Sequence, residues 1–161
     1  MTDNFDNVYL GELQPAKFAQ AYSLARMAGE KLDEAQWCET IKKWQSTPDE
    51  SKKGVIAVQN KEGYVLALLY YSVRNTPDLG RVLEVCDLTV PVMFKNSIVE
   101  HFVPILDQLA GMLKCWTIFL PKTCDRNADT SALSLMAEID GFQKEEQGIY
   151  RYLPVQREAV L

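Results

Sequence analysis

The stretch DLTVPVMFKNSIVEHF, residues 87–102, carries a pattern that could bind a ligand. It reads as a β-strand, then a turn led by Pro91, then the first turn of a helix. Many proteins hold a phosphate group at such a junction, because the free N–H groups and the dipole of a helix N-terminus both favour an anion. The turn here contains no glycine. The pattern therefore predicts either a phosphate site or a helix end that is closed to ligands.

Ser97 and Glu100 favour the closed helix end. They stand three residues apart, as in a capping box, in which the Ser97 hydroxyl accepts from one free N–H group and the Glu100 carboxylate accepts from another. A helix end capped in this way has fewer donors left for a ligand, and a carboxylate in its first turn repels a diphosphate. We therefore predict that Ser97 is an N-cap. His101, the only histidine, follows Ser97 by four residues, and a surface or capping role is its simpler interpretation.

The composition fits an ordinary globular protein. The chain has 161 residues, of which 47% are hydrophobic and 24% charged, and this predicts one domain over residues 1–161. A net charge of −5 gives no electrostatic footprint for nucleic acid or for an anionic membrane surface. The N-terminus, MTDNFDN, lacks the apolar segment of a secretion signal, and no stretch reaches the length of a membrane span. We therefore expect a cytoplasmic location.

The four cysteines show no metal-site or disulfide pattern. Cys38, Cys86, Cys115 and Cys124 form no C-x-x-C pair, and His101 lies far from them in the sequence. This spacing favours free, mostly buried thiols over disulfides or zinc, and we expect no metal.

The first half of the chain predicts a strand, two helices and a hairpin. VYLGEL (8–13) alternates as a strand does, and residues 15–29 follow as a helix that ends at Gly29. A second helix begins with a capping box of Asp33 and Gln36, and its apolar stripe contains Trp37, Ile41 and Trp44. GVIAVQN and YVLALLYYSV then form a hairpin that turns at Gly63.

The second half predicts a crossover to a parallel strand. RVLEVCDLTV (81–90) is a third consecutive antiparallel strand, and a helix over 97–113 buries a stripe of Ile98, Phe102, Ile105, Leu109 and Met112. The strand at 116–120 follows this helix, so we predict that it lies parallel to 81–90. TSALSLMAEIDG is a last helix that ends at Gly141, and FQK and IYRYL close the chain as a hairpin.

This element order resembles the GNAT superfamily of acyl-CoA-dependent N-acyltransferases over nearly the whole chain. LEVCDLTV is similar to the fourth strand of the family, with Glu84, Asp87, Leu88 and Val90 at the matching places. MAEIDGFQKEEQGIYRYL resembles its last helix and hairpin, through the residues Glu138, Gly141, Phe142, Tyr150 and Tyr152. The resemblance implies a mixed α+β fold: a central, mostly antiparallel sheet with one parallel, splayed strand pair and helices on both faces.

The resemblance also implies a site. Acetyl-CoA or another acyl-CoA is the expected cofactor, and its binding residues would be Leu88, Thr89, Val90, Lys95, Asn96 and Ser97. Glu84 is the candidate general base, although it could equally be an exposed strand residue or half of an ion pair. Cys86 is expected on the same strand face as Glu84, as a small buried hydrophobe.

The departures from the family pattern fall where the chemistry would be. Ile98 and Glu100 stand where its pyrophosphate loop has glycines, which let the backbone approach the diphosphate closely. Ala137 stands where a tyrosine often protonates the departing thiolate.

Two functions therefore remain open at this stage. One is an N-acyltransferase with a degenerate CoA site, acting on a small amine or peptide. The other is a non-catalytic GNAT-fold binding or interaction protein that has no cofactor. The acidic residues Glu30, Asp33 and Glu34 could attract an amine, and a homodimer stays open.

Overall fold

The computed structural model describes residues 8–91, 95–121, 142–145 and 148–153. The strands in these ranges are β1 Tyr9–Glu12, β2 Lys53–Gln59, β3 Val65–Thr76, β4 Gly80–Thr89, β5 Thr117–Pro121, β6 Gln143–Glu145 and β7 Gly148–Tyr152. The α-helices are α1 Phe18–Met27, α2 Glu34–Gln45 and α3 Lys95–Met112. A 3₁₀ turn over Pro15–Lys17 leads into α1, and a second one covers Asp49–Ser51.

The described strands form one seven-stranded sheet in the order β1-β2-β3-β4-β5-β7-β6. Neighbouring strands are antiparallel except β4 and β5, which run parallel and are connected through α3. The predicted hairpin, the three consecutive antiparallel strands, the parallel pair and the closing hairpin are all confirmed.

The first two helices cover one face of the sheet, which we call the α1/α2 face. Trp37 and Ile41 of α2 are almost fully buried there, and with Phe18 they pack against Val55 and Ala57 of β2. The Trp37 ring meets Phe18 edge-on at 6.2 Å between ring centroids. The interpretation of Trp37 as a core residue is therefore confirmed.

The third helix covers the opposite face, which we call the α3 face. Phe102, Ile105 and Leu109 are buried, as the apolar stripe predicts, and they pack among the residues that β2, β3 and β4 point to this side. Met112 was wrongly included in this stripe, since it is 57% exposed at the last turn. Helices on both faces of the sheet are thus confirmed.

Local signals set the boundaries of several elements. The capping box of α2 is confirmed: the Gln36 N–H donates to Asp33 Oδ1 at 2.8 Å, and the Asp33 N–H donates to Gln36 Oε1. Gly63 has a φ of 87°, a left-handed conformation that suits glycine, at the turn between β2 and β3.

The predicted N-cap of α3 is wrong. The helix begins at Lys95, so Ser97 is its third residue and the cap position precedes Lys95. Glu100 then lies in the second turn, and the S-x-x-E spacing does not mark the start of the helix. The turn at 92–94 and the predicted last helix at 130–141 lie outside the described residues.

Candidate functional site

The strands β4 and β5 stay paired over only three residues each. Val82, Leu83 and Glu84 pair with residues 117–119, and Glu84 and Phe119 are the last pair. β4 continues for five more residues to Thr89, where only β3 pairs with it among the described strands, and the end of β5 pairs only with β7. The two strands therefore part after Glu84 and Phe119.

A β-bulge lies in β4 directly beyond this point. Tyr71 pairs with Val85 and Tyr70 pairs with Asp87, so Cys86 is an extra residue on β4. Bulges bend a strand and increase its twist, which helps to separate β4 from β5. The expectation that Cys86 shares a face with Glu84 is wrong, because the bulge turns Cys86 toward the core on the α3 face. Burial there, with a smaller effect of the Glu84 charge, raises the pKa of the Cys86 thiol to about 12.

Directly paired residues form a row across the α1/α2 face at the point where the strands part. The row is Lys53, Ser72, Glu84, Phe119 and Tyr150, from β2 through β7. Phe119 stacks on Tyr150 with 4.5 Å between ring centroids. Glu84 thus lies between a small hydroxyl side chain and a fixed aromatic ring.

Glu84 forms an ion pair with an arginine from the neighbouring strand. Arg74 Nε lies 3.5 Å from Glu84 Oε2, and the side chains are 46% and 24% exposed. The Arg74 guanidinium also lies over the Phe119 ring, at 5.3 Å from its centroid. The sequence left three roles open for Glu84: a general base, an exposed strand residue or half of an ion pair. In the structure Glu84 is half of an ion pair.

A second polar group lies one row further along β4, on the same face. Burial raises the pKa of the Tyr70 hydroxyl to about 12, with a contribution from the Asp87 charge, while hydrogen bonds with Thr89 and Trp37 act in the opposite direction. Asp87 Oδ1 accepts a hydrogen bond from the Leu88 N–H at 2.8 Å. Tyr70, Asp87 and Thr89 therefore line the α1/α2 side of β4 beyond the bulge.

Neither a scan against protein-family models nor a search of the curated proteins finds a match to the sequence. Solved structures do match. A spermidine N-acetyltransferase chimera from Vibrio cholerae and hSSAT has a TM-score of 0.67 at 12% identity, over 96% of this chain and 99% of that one. A GNAT family acetyltransferase from Staphylococcus aureus has a TM-score of 0.62 at 13% identity, over 86% and 98%. The NatC complex bound to Gag peptide and CoA has 0.55 at 12%, over 91% and 99%.

The chain has the GNAT fold. The resemblance that the sequence suggested is therefore confirmed at the level of the fold.

The predicted cofactor residues lie at two places in the chain, the end of β4 and the start of α3. Leu88 and Thr89 are the last residues of β4 and Val90 follows them; Thr89 and Val90 are 7% and 6% exposed. Lys95, Asn96 and Ser97 form the first turn of α3, where backbone N–H groups have no acceptor within the helix. The side chains of these three residues lie outside the described part of the structure.

Sequence reasoning missed Arg74 and Tyr70 as site residues. Arg74 stands ten positions before Glu84, and only the β3–β4 register brings the two together. Tyr70 was assigned to a strand without a role, although alternation along YVLALLYYSV places it on the face opposite Tyr71.

Two of the three acidic residues near the start of α2 are bound to local backbone. Asp33 caps α2, and Glu30 Oε1 accepts from the Lys31 and Leu32 N–H groups at 3.1 and 3.2 Å. The three described cysteines, Cys38, Cys86 and Cys115, are free. The described residues contain no group of three or more His, Cys, Asp or Glu that could hold a metal, and none of their helices could cross a membrane.

Proposed function

We propose that this chain is a GNAT-type N-acyltransferase that binds acyl-CoA weakly, in the cleft between β4 and β5, and transfers the acyl group to an amine. The observation that carries this proposal is the parting of the two strands: Glu84 and Phe119 are their last pair, and β4 continues to Thr89 without pairing with β5. An extended chain with amide groups could lie between the two strands beyond this point, because such a chain can add to a sheet where two strands have separated.

The N-terminus of α3 supports a phosphate contact at the end of this cleft. Lys95, Asn96 and Ser97 supply its first N–H groups, and the helix dipole favours an anion there. Ile98 and Glu100 act against tight binding, since the family has glycines at these places and a carboxylate repels a diphosphate. Weak binding of CoA follows from this combination.

Bound acyl-CoA would supply an activated thioester carbonyl at the point where the strands part. Glu84 lies at this point, and its carboxylate would take a proton from the amine nitrogen as that nitrogen attacks the thioester carbonyl. The new C–N amide bond would replace the C–S bond, and CoA would leave as a thiolate that takes its proton from water. Arg74 must leave Glu84 for this role, since a carboxylate held by a guanidinium is a weaker base. Tyr70 and Asp87 lie on the same face and would contact the acceptor.

Two contacts favour the non-catalytic alternative, a GNAT-fold binding protein without CoA. The Glu84 carboxylate is bound by Arg74, and the Leu88 N–H on the proposed cofactor segment is bound by Asp87 Oδ1. Both contacts would have to break for the acyltransferase to operate.

The first test is thermal unfolding during a titration with acetyl-CoA. A ligand at about 100 times its Kd stabilises a protein by about 2.7 kcal/mol, which raises the Tm of a domain of this size by roughly 5 to 10 °C. We expect the Tm of the unmodified chain to rise only at millimolar acetyl-CoA. Glu100→Gly removes a charge and a Cβ together, so we expect the Tm of this variant to rise at lower acetyl-CoA concentrations.

Glu39→Gln is the matched control, because it removes an exposed helix carboxylate on α2, far along the chain from α3. It should titrate like the unmodified chain. A Tm that acetyl-CoA never changes, in the unmodified chain and in Glu100→Gly alike, would refute the acyltransferase and leave the non-catalytic alternative.

A further inference from the structure

Arg74 has the two contacts that a bound cation has in a recognition site. Its guanidinium lies beside the Glu84 carboxylate, with 3.5 Å between Nε and Oε2, and over the Phe119 ring, at 5.3 Å from the centroid. A carboxylate and an aromatic face are the groups that proteins use together to bind ammonium and guanidinium ligands. The contacts of Arg74 are therefore those that an external cation could make with Glu84 and Phe119.

Glu84 and Phe119 are held more firmly than Arg74. Phe119 is 4% exposed and stacks on Tyr150, which in turn stacks on Tyr152. Glu84 is 24% exposed on the same sheet face, whereas Arg74 is 46% exposed. Arg74 comes from β3, where it pairs with Val82, so its side chain reaches diagonally across β4. The long, half-exposed arginine is the partner that can move into solvent.

We propose that Glu84 and Phe119 bind the reacting amine of the acceptor in its protonated, ammonium form, so that the carboxylate that pairs with this group is also the base that takes its proton, and that Arg74 is an internal occupant which the acceptor must displace. The identification of this ligand as the acceptor rests on the proposed acyltransferase function. The cation site itself rests only on the contacts of Glu84 and Phe119.

This arrangement would select acceptors by charge. An ammonium or guanidinium group can replace the Arg74 guanidinium on both the carboxylate and the ring, whereas a neutral amide can replace neither contact fully. Occupation by Arg74 lowers the apparent affinity for an external cation by the fraction of time that the site is free. Arg74 is thus a specificity-determining residue that also weakens binding.

The test removes the internal occupant and supplies a free one. Arg74→Ala and Arg74→Gln are titrated with ethylguanidinium, and the backbone amide signals of Glu84 and Phe119 are followed by ¹H–¹⁵N NMR. N-Ethylurea is the neutral control ligand, and no CoA is present. If Arg74 fills the site for about nine-tenths of the time, both variants should bind ethylguanidinium roughly tenfold more tightly than the unmodified chain. N-Ethylurea should produce no saturable change.

In the same titration, the double variant Arg74→Gln with Glu84→Gln should show no saturable binding, because the carboxylate is lost. Arg74→Gln keeps the length of the side chain, so it covers the case in which Arg74→Ala does not fold. Equal affinity in the unmodified chain and in both variants, or signal changes elsewhere in the sheet, would overturn the cation site. If the variants bind ethylguanidinium but acetyl-CoA never binds, the cation site stands and the acyltransferase assignment fails.

Discussion

At the scale of single residues, Gly54 is a glycine because a tyrosine side chain crosses its strand. Tyr71 is fully buried on β3, and its hydroxyl donates a hydrogen bond to the Glu12 carboxylate on β1, across β2. Gly54 lies on β2, where it is paired with Tyr71 of β3, directly beneath this crossing. Burial and the bond to Glu12 together raise the pKa of the Tyr71 hydroxyl well above its usual range.

We expect Gly54→Ala to destabilise the fold by about 2 kcal/mol, because overpacking of a fixed core typically costs about 1–3 kcal/mol. A Cβ at Gly54 would lie 2.6 Å from Tyr71 Oη and 2.7 Å from Cζ, and the buried ring cannot move away without breaking its bond to Glu12. Urea denaturation measures the change as a lower midpoint. Gly11→Ala on β1 is the control, since a Cβ there meets nothing within 4 Å and should leave the midpoint unchanged or slightly higher. Equal midpoints for the two variants would contradict this account.

At the scale of elements, the structural features that could be predicted from the sequence are those that depend on residues close together in it. The capping box of Asp33 and Gln36 and the turn at Gly63 were both predictable, because each depends on contacts within three to five residues. The bulge at Cys86 was not, since a bulge is a property of the register between two strands. The ion pair of Arg74 with Glu84 depends on the same register, which explains why Glu84 was a candidate and its partner was not.

The start of α3 shows a different limit. Ser97 and Glu100 match a capping box in their letters, yet the helix begins at Lys95. A short capping pattern predicts a helix nearby better than it predicts the first residue, because Ser and Glu are also tolerated within the first turns of a helix.

The third helix is fixed to the sheet by an ion pair that the sequence did not suggest. Asp107 of α3 accepts two hydrogen bonds from Arg151 of β7, at 2.8 Å from Nε and 2.7 Å from the terminal nitrogen Nη2. The two side chains are 34% and 20% exposed, so the pair is only partly screened by water. These bonds hold the pKa of Arg151 above its usual value.

We expect Asp107→Asn to lower the free energy of unfolding by about 1–2 kcal/mol, since a pair of charge-assisted hydrogen bonds is lost at a partly buried site. A double-mutant cycle with Arg151→Gln measures the coupling and removes the effects of each side chain elsewhere. The matched control is the exposed pair Glu39–Lys43, 3.8 Å apart on one helix, where Glu39→Gln should change stability by less than about 0.5 kcal/mol. A coupling as small as that of the control pair would show that Asp107 does not hold α3 to the sheet.

At the scale of the whole molecule, ionisable groups buried in their neutral form link stability to alkaline pH. Burial raises the pKa of the Cys115 thiol to about 11, against the effect of nearby Arg81, and raises that of Cys86 to about 12. Each group loses its proton at lower pH in the unfolded chain than in the folded one. The stability that depends on them is therefore complete below about pH 9, the usual thiol range, and is lost as the pH rises toward the folded values.

We expect the free energy of unfolding, measured by urea denaturation in the presence of a reductant, to fall steadily from about pH 9 to about pH 10.5. A thiol that ionises only in the unfolded chain adds at most about 1.4 kcal/mol per pH unit to this fall.

Cys115 is fully buried, so Cys115→Ala should make the fall shallower by about 1 kcal/mol per pH unit, apart from a constant loss from the cavity. Cys38→Ala is the control, because Cys38 is only half-buried and should change the slope much less. Lysines and tyrosines also titrate here, but they are common to all three proteins, so the difference in slope isolates the thiol. Parallel curves for Cys115→Ala and the unmodified chain would mean that the Cys115 thiol ionises as readily in the fold as outside it, and that this part of the core admits water.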